Sequence, residues 1–137
     1  MSKAATTFTG RKLDWLKCVA YDRHLKRYPF AFKVAFQIAQ HVNEKKGFAH
    51  VSDAVIADKA GGGSVRNVGK ARMKLRETGW LTWQPTRTAN LYTLRHEREN
   101  GILDLIAIAS DARKERRRKA RKHNTASYEP QFTPKAF

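Results

Sequence analysis

The sequence predicts a mainly α fold with one small β-hairpin, an α+β arrangement. Three observations carry that expectation. Apolar residues recur at helical spacing through several segments before residue 79. Two short runs, "WLTWQ" and "LYTLR", read as strands and are separated by turn-forming residues. A closing stretch, "GILDLIAIASDARKERRRKARKH", reads as one long helix that turns from apolar to basic. The chain has 137 residues, 41% of them apolar, which suits one domain of ordinary size plus a tail.

Residues 1–11 are rich in Thr, Ala and Lys and are expected to form a disordered lead-in to a domain over residues 12–96. Leu13, Leu16, Val19 and Ala20 then fall on one helical stripe. Pro29 breaks that helix and starts the next, because proline is tolerated in a first turn. In "FAFKVAFQIAQHVNEKK", Val34, Ala35, Ile38, Ala39 and Val42 share a face, and Gly47 closes the helix. "FAHV" is long enough only for a short strand. Ser52 is placed to cap the short helix "DAVIADKA", its hydroxyl accepting an orphan amide.

"GGGS" follows as a turn, and Ser64 caps the helix "VRNVGKARMKLRET". Val65, Val68, Ala71 and Leu75 form its inward stripe, and Gly79 ends it. Trp80 to Arg95 is the hairpin, with Arg87 alone among the turn residues "PTRTAN". Trp80 and Trp83 are expected to share one strand face and to pack. The C-terminal helix covers residues 97–122. Its first part, with Ile102, Leu103, Leu105, Ile106 and Ile108, is apolar almost all round, and eight of the ten residues from Arg113 to Lys122 are basic. Residues 123–137, with two prolines and little periodicity, are expected to be a tail.

The charge balance restricts the partners. There are 28 Lys and Arg against 12 Asp and Glu, a formal net charge of +16. Residues 1–99 alone hold 19 basic and 8 acidic side chains, so the excess belongs to the folded part as well as to its end. Such a surplus favours a polyanion. The single cysteine, Cys18, lies among apolar residues, so it is expected to be a buried inert thiol and excludes an internal disulfide. The N-terminus has no apolar stretch of a signal peptide, and no segment reaches the ~18–20 apolar residues that cross a bilayer. The expectation is a soluble cytoplasmic protein with no membrane partner.

"AGGGSVRNVGKARMKL" invites a phosphate-loop reading, which its spacing refuses. A phosphate loop needs Gly, four residues, Gly-Lys, then Ser or Thr. Counted back from Gly69 and Lys70, the glycine position holds Ser64, and Ala71 stands where a hydroxyl would ligate Mg²⁺. The same letters fit a turn followed by a basic helix. The segment "HVSDAVIADKAGGGSVRNVGKARMKLRETGWLTWQPTRTANLYTL" resembles the winged helix-turn-helix family of bacterial regulators and of plasmid and phage replication initiators. The match is carried by Ser52, Ile56, Ala57, Gly61, Ser64, Val68, Leu75, Gly79, Trp80, Leu81, Tyr92 and Leu94, and covers residues 30–95 with the supporting helix. One feature departs: Gly62 and Gly63 both stand between the turn glycine and Ser64, where the family has one residue. The expected architecture is thus a winged helix-turn-helix followed by a C-terminal helix and a basic tail.

At 100° per residue, Arg66, Lys70, Met73 and Glu77 point away from the inward stripe, flanked by Asn67 and Lys74. The N-terminal turn of such a helix enters the major groove deepest. Arg66 is the candidate for a guanine edge and Asn67 for adenine, while Lys70 and Lys74 are candidates for phosphates, and Ser64 for a phosphate or for capping alone. Gly69 either lets the helix approach a duplex closely or eases packing against a neighbouring helix. Arg87 and Thr88 are the wing candidates. Arg113, Arg116, Arg117, Arg118 and Arg121 are candidates for nonspecific backbone contact. Ile102, Leu105 and Ile106 are candidates for a dimer interface, because a helix apolar on every side is poorly suited to a monomer surface.

The expected function is sequence-specific binding of double-stranded DNA, as a dimeric transcriptional regulator associated with the nucleoid. A plasmid or phage replication or maintenance factor is the alternative role, and an RNA-binding protein the alternative class. The five histidines show no metal spacing and no local motif suggests a catalytic triad, so neither an enzyme nor a metal, cofactor or small-molecule ligand is expected.

Overall fold

The computed structural model describes residues 7–61 and 64–128. Helix α1 (Phe8–Tyr21) starts inside the expected lead-in, because the Thr7 hydroxyl accepts the Gly10 N–H at 2.9 Å and caps it; residues 1–6 lie outside the described residues. Its buried face is Trp15, Leu16, Cys18 and Val19. Leu13, 59% exposed, and Ala20 face outward, contrary to the expected stripe. Trp15 sets this phase: its indole N–H donates to the carbonyls of Trp80 (3.1 Å) and Arg95 (3.0 Å), which turns Leu13 and Ala20 away from the core.

The helix ends at Tyr21, well before Pro29. Asp22 ends it, taking an extended backbone and accepting the His24 N–H at 3.0 Å to open a 3-10 turn over Arg23–Leu25. Helix α2 (Pro29–Gln40) buries Ala31, Val34, Ala35, Ile38 and Ala39 and packs on α1 and on the two helices that follow. It stops short of the expected end at Gly47. The Asn43 side chain accepts the N–H groups of Lys45 (2.9 Å) and Lys46 (3.0 Å), and Gly47 at φ +80 turns the chain back, so that Val42 bridges Ala49. That turn delivers strand β1 (Ala49–Val51).

Ser52 caps α3 (Asp53–Lys59) by accepting the Val55 N–H at 3.3 Å, and Ser64 caps α4 (Val65–Glu77) by accepting the Asn67 N–H at 3.1 Å. Gly62 and Gly63 of the expected turn lie outside the described residues. Helix α4 buries Val68, Ala71 and Leu75. Val65 is 49% exposed, because it sits about 85° from the centre of that face at 100° per residue. Gly79 at φ +85 ends α4, with the Trp80 N–H returning to the Leu75 carbonyl at 2.9 Å.

Strands β2 (Leu81–Pro85) and β3 (Asn90–Leu94) form the expected hairpin, and β1 adds to its other edge in the order β1-β3-β2, all antiparallel. Trp80 and Trp83 do not share a face, since residues three apart in a pleated strand point to opposite sides. Trp80 precedes β2, is fully buried, and meets Trp15 edge-on with ring centroids 6.4 Å apart. Trp83 stands beside Tyr92 in register, centroids 6.1 Å apart.

Asp22 is the polar centre of this core, its side chain only 1% exposed. One carboxylate oxygen accepts Trp80 Nε1 and Arg98 Nη1, each at 2.7 Å, and Arg98 also donates to the Thr78 carbonyl at 2.5 Å. Burial works to raise the carboxyl pKa, but the bonds from Arg98, Trp80 and His24 outweigh it and hold it below the ordinary value of 3.8. Cys18 is buried as expected, and burial pushes its thiol up to about 11, which leaves it protonated and unreactive at neutral pH.

The chain divides into two units, Met1–Ile102 and Leu103–Phe137. Helix α5 (Glu99–Tyr128) begins in the first and runs on through the second, past the expected end at residue 122; residues 129–137 lie outside the described residues. No described helix is long and apolar enough to cross a membrane.

Asp22→Ala is expected to cost about 3 kcal/mol, because it strands the Arg98 charge and the Trp80 N–H. The depressed pKa means that this stability is present above pH 3.8 and is lost as pH falls through the folded-state value. Urea titrations should therefore show the gap between wild type and Asp22→Asn narrowing in acid; a gap that widens would contradict the assignment.

Candidate nucleic-acid interface

The two sides of α4 differ in kind. Val68 and Leu75 are fully buried and Ala71 nearly so, while Arg66, Asn67, Lys70, Met73 and Glu77 are exposed on the opposite side, as the helical spacing predicts. Among the described residues, the side chains of Arg66, Asn67 and Lys70 make no hydrogen bond or ion pair. The Ser64 hydroxyl is engaged in capping. A Cβ added at Gly69 would meet only the Arg72 side chain, at 3.8 Å, so packing against a neighbouring helix does not require glycine there.

Lys74 stands differently from the other candidates. Its ammonium lies 4.7 Å from the Tyr28 ring centre and 3.9 Å from Glu77, and its side chain is 29% exposed. It flanks the outward face, as the spacing predicts, but is held against the protein where Lys70 is not.

The sequence did not single out Arg72 and Arg76, which form a lateral row of α4 with Val65 and Gly69, spaced i, i+4, i+7, i+11. Of that row, Arg72 and Arg76 face the sheet. The Arg72 and Arg76 guanidiniums lie over the Trp83 ring, at 5.2 and 4.3 Å from its centre. Arg72 also pairs with Asp53 of α3, which accepts from Asn90 Nδ2 (3.4 Å) and from the Tyr92 hydroxyl (3.5 Å). Burial opposes the Arg72 charge, but the Asp53 bond more than offsets it, so the guanidinium pKa is raised. Burial likewise raises the Tyr92 phenol pKa, which stays protonated as a donor. Helical spacing marks the row; only long-range pairing reveals its use.

The β2–β3 turn is Thr86–Ala89, closed by the Thr86 N–H and hydroxyl donating to the Ala89 carbonyl at 2.8 and 2.6 Å. Arg87 and Thr88 occupy its tip, both exposed. This turn is tighter than the six residues expected, because Pro85 and Asn90 belong to the strands.

In the second unit, every residue from 111 to 123 is exposed, including Arg113, Arg116, Arg117, Arg118 and Arg121. Arg118 pairs with Glu115 at 2.6 Å, one turn away. Of the interface candidates, Leu105 is 51% exposed and Ile106 half-buried. Ile102 is only 8% exposed and belongs to the core of the first unit, so it is not available to a second chain. Among the described residues, no group of three or more His, Cys, Asp or Glu is placed to hold a metal ion. Comparison of the chain with family models, with curated proteins and with solved structures finds no match.

The division of α4 has a measurable consequence for stability. Arg66→Ala and Lys70→Ala should leave it within about 0.5 kcal/mol of wild type, as for exposed residues without partners. Arg72→Ala should cost about 2 kcal/mol by leaving Asp53 unpaired and uncovering Trp83. Urea unfolding followed by tryptophan fluorescence reads both, and equal effects at the three sites would refute the division.

Proposed function

We propose that the first unit is a winged helix-turn-helix that binds double-stranded DNA sequence-specifically, and that the protein is a transcriptional regulator acting as a homodimer. The element order supports it: α2, β1, α3, turn, α4, then a hairpin whose second strand pairs with β1. The observation that carries it is the N-terminal half of α4, where Arg66, Asn67 and Lys70 stand exposed and unpaired opposite a fully packed face.

In this reading the first turn of α4 enters the major groove. Arg66 donates two bonds to guanine O6 and N7, and Asn67 bonds the adenine edge, each good pair contributing about 1–3 kcal/mol of discrimination. Lys70 meets a phosphate, and Arg87 with Thr88 touches the backbone beside the helix. The basic part of α5 adds contacts that ignore sequence. Leu105 and Ile106 supply apolar surface for a second copy, which lets paired domains read paired half-sites.

Selection of bound fragments from random duplex DNA tests the proposal. A recurrent motif with two-fold symmetry is expected; recovery without any motif would refute sequence-specific binding. Arg66→Ala should relax selection at one position by about 1–3 kcal/mol, whereas Lys70→Ala should weaken all sequences alike. Gly69→Ala should stabilise the fold by about 1 kcal/mol while weakening DNA binding, since the new methyl group stands between helix and duplex. Fluorescence anisotropy beside urea melts separates these effects, and a gain in both would remove the close-approach role of Gly69.

A further inference from the structure

We infer that the basic part of α5 seats lengthwise inside the major groove of duplex DNA, touching phosphates on both walls; this rests on the duplex-binding reading above. The cations surround the helix. At 100° per residue, Arg113, Lys114, Arg117 and Arg121 fall within an arc of about 100°, Arg116, Lys119 and Lys122 fall on the opposite side, and Arg118 lies between the two groups. All are exposed, in a helix that runs unbroken past them.

A flat surface uses one side of a helix. An anionic bilayer further requires an apolar side, and this run holds only Ala120 as an apolar residue. A second copy of the run is excluded as its occupant, since eight cations and one carboxylate repel their like. A groove with charge on both walls uses every side. The major groove of B-form DNA, about 12 Å wide, admits an α-helix, whose diameter with side chains is about 10–12 Å. Charge densities also match: ten helical residues span about 15 Å, and a duplex carries roughly nine phosphates over that length, at one per ~1.7 Å. The groove of an RNA duplex is deep and narrow and does not admit the helix.

The same arrangement makes the free helix self-repelling. Arg113 and Arg117, Lys114 and Arg118, and Arg118 and Lys122 are like-charged pairs four apart, and Glu115 offsets this repulsion at Arg118. Phosphates on both walls relieve that repulsion, so helicity rises on binding.

The test uses the full chain and a random-sequence 30-base-pair duplex, with affinity read by anisotropy across a NaCl series and helicity by circular dichroism. Two triple variants are compared with wild type: Arg113→Gln with Lys114→Gln and Arg117→Gln, and Arg116→Gln with Lys119→Gln and Lys122→Gln. Glutamine preserves helix formation. Groove seating requires both triples to flatten the log–log salt slope comparably, by up to about 2.7, at about 0.9 per phosphate contact. A loss confined to one triple, or to neither, overturns the inference while duplex binding by wild type stands. A two-sided response on duplex RNA and none on duplex DNA overturns it as well. Failure of wild type to bind any duplex removes the parent reading along with it.

Discussion

A carboxylate almost sealed from water holds the first unit together. Asp22 ends α1, opens the 3-10 turn, seats the Trp80 indole and anchors Arg98, which in turn holds the Thr78 carbonyl at the end of α4. A buried charge is tolerable only when hydrogen bonds replace its lost hydration, and here three donors do so. The bonds are directional, so they fix where α4 ends and where α5 begins, which apolar packing alone specifies loosely. The Trp15 indole adds a second fixed point by bridging the carbonyls of Trp80 and Arg95, which lie side by side at the open end of the hairpin.

Around that centre, α4 sorts its cations by environment. Arg72 and Arg76 are spent on Trp83 and Asp53, where they weld helix to sheet. Arg66 is placed against the helix's own electrostatics. The first turn of α4 carries no acidic residue, as in α1 and α2. A cation near a helix N-terminus opposes the macrodipole, at a cost of about 0.3–1 kcal/mol. Keeping Arg66 there, exposed and unpaired, favours an anionic partner outside the chain.

What the sequence made legible was local. The Ser52 and Ser64 caps and the Gly79 stop each depend on a few neighbouring residues, and all stand where the residue types place them. The outward face of α4 was legible because Val68, Ala71 and Leu75 fix its phase. What failed depended on distant partners. The phase of α1 follows from Trp15 reaching across 65 and 80 residues, and apolar spacing alone chose Leu13 and Ala20 instead. The end of α2 follows from the Asn43 turn and the pairing of Val42 with Ala49. Arg72 and Arg76 looked like two more cations in a basic helix, since Asp53 and Trp83 are remote in sequence. The short strand within residues 48–51 was legible, but its place beside β3 was not.

The weld between α4 and the sheet bears on the function proposed for them. The hairpin is fixed to α4 through Trp83 and Tyr92, whose rings and hydroxyl meet Arg72, Arg76 and Asp53. Its tip is fixed in turn by Thr86, which closes the loop and meets His50 of β1 at 3.3 Å. Arg87 and Arg66 therefore sit on one body whose backbone is settled before any ligand arrives, and only their side chains remain to be ordered. Ordering a long side chain on binding costs about 0.5–1.5 kcal/mol, so a preset frame confines the loss to a few residues. The basic part of α5 lacks such a frame, with every residue from 111 to 123 exposed. In the proposed function, recognition therefore rests on a surface ordered by the protein's own core, and the α5 cations add contacts that weaken as salt rises.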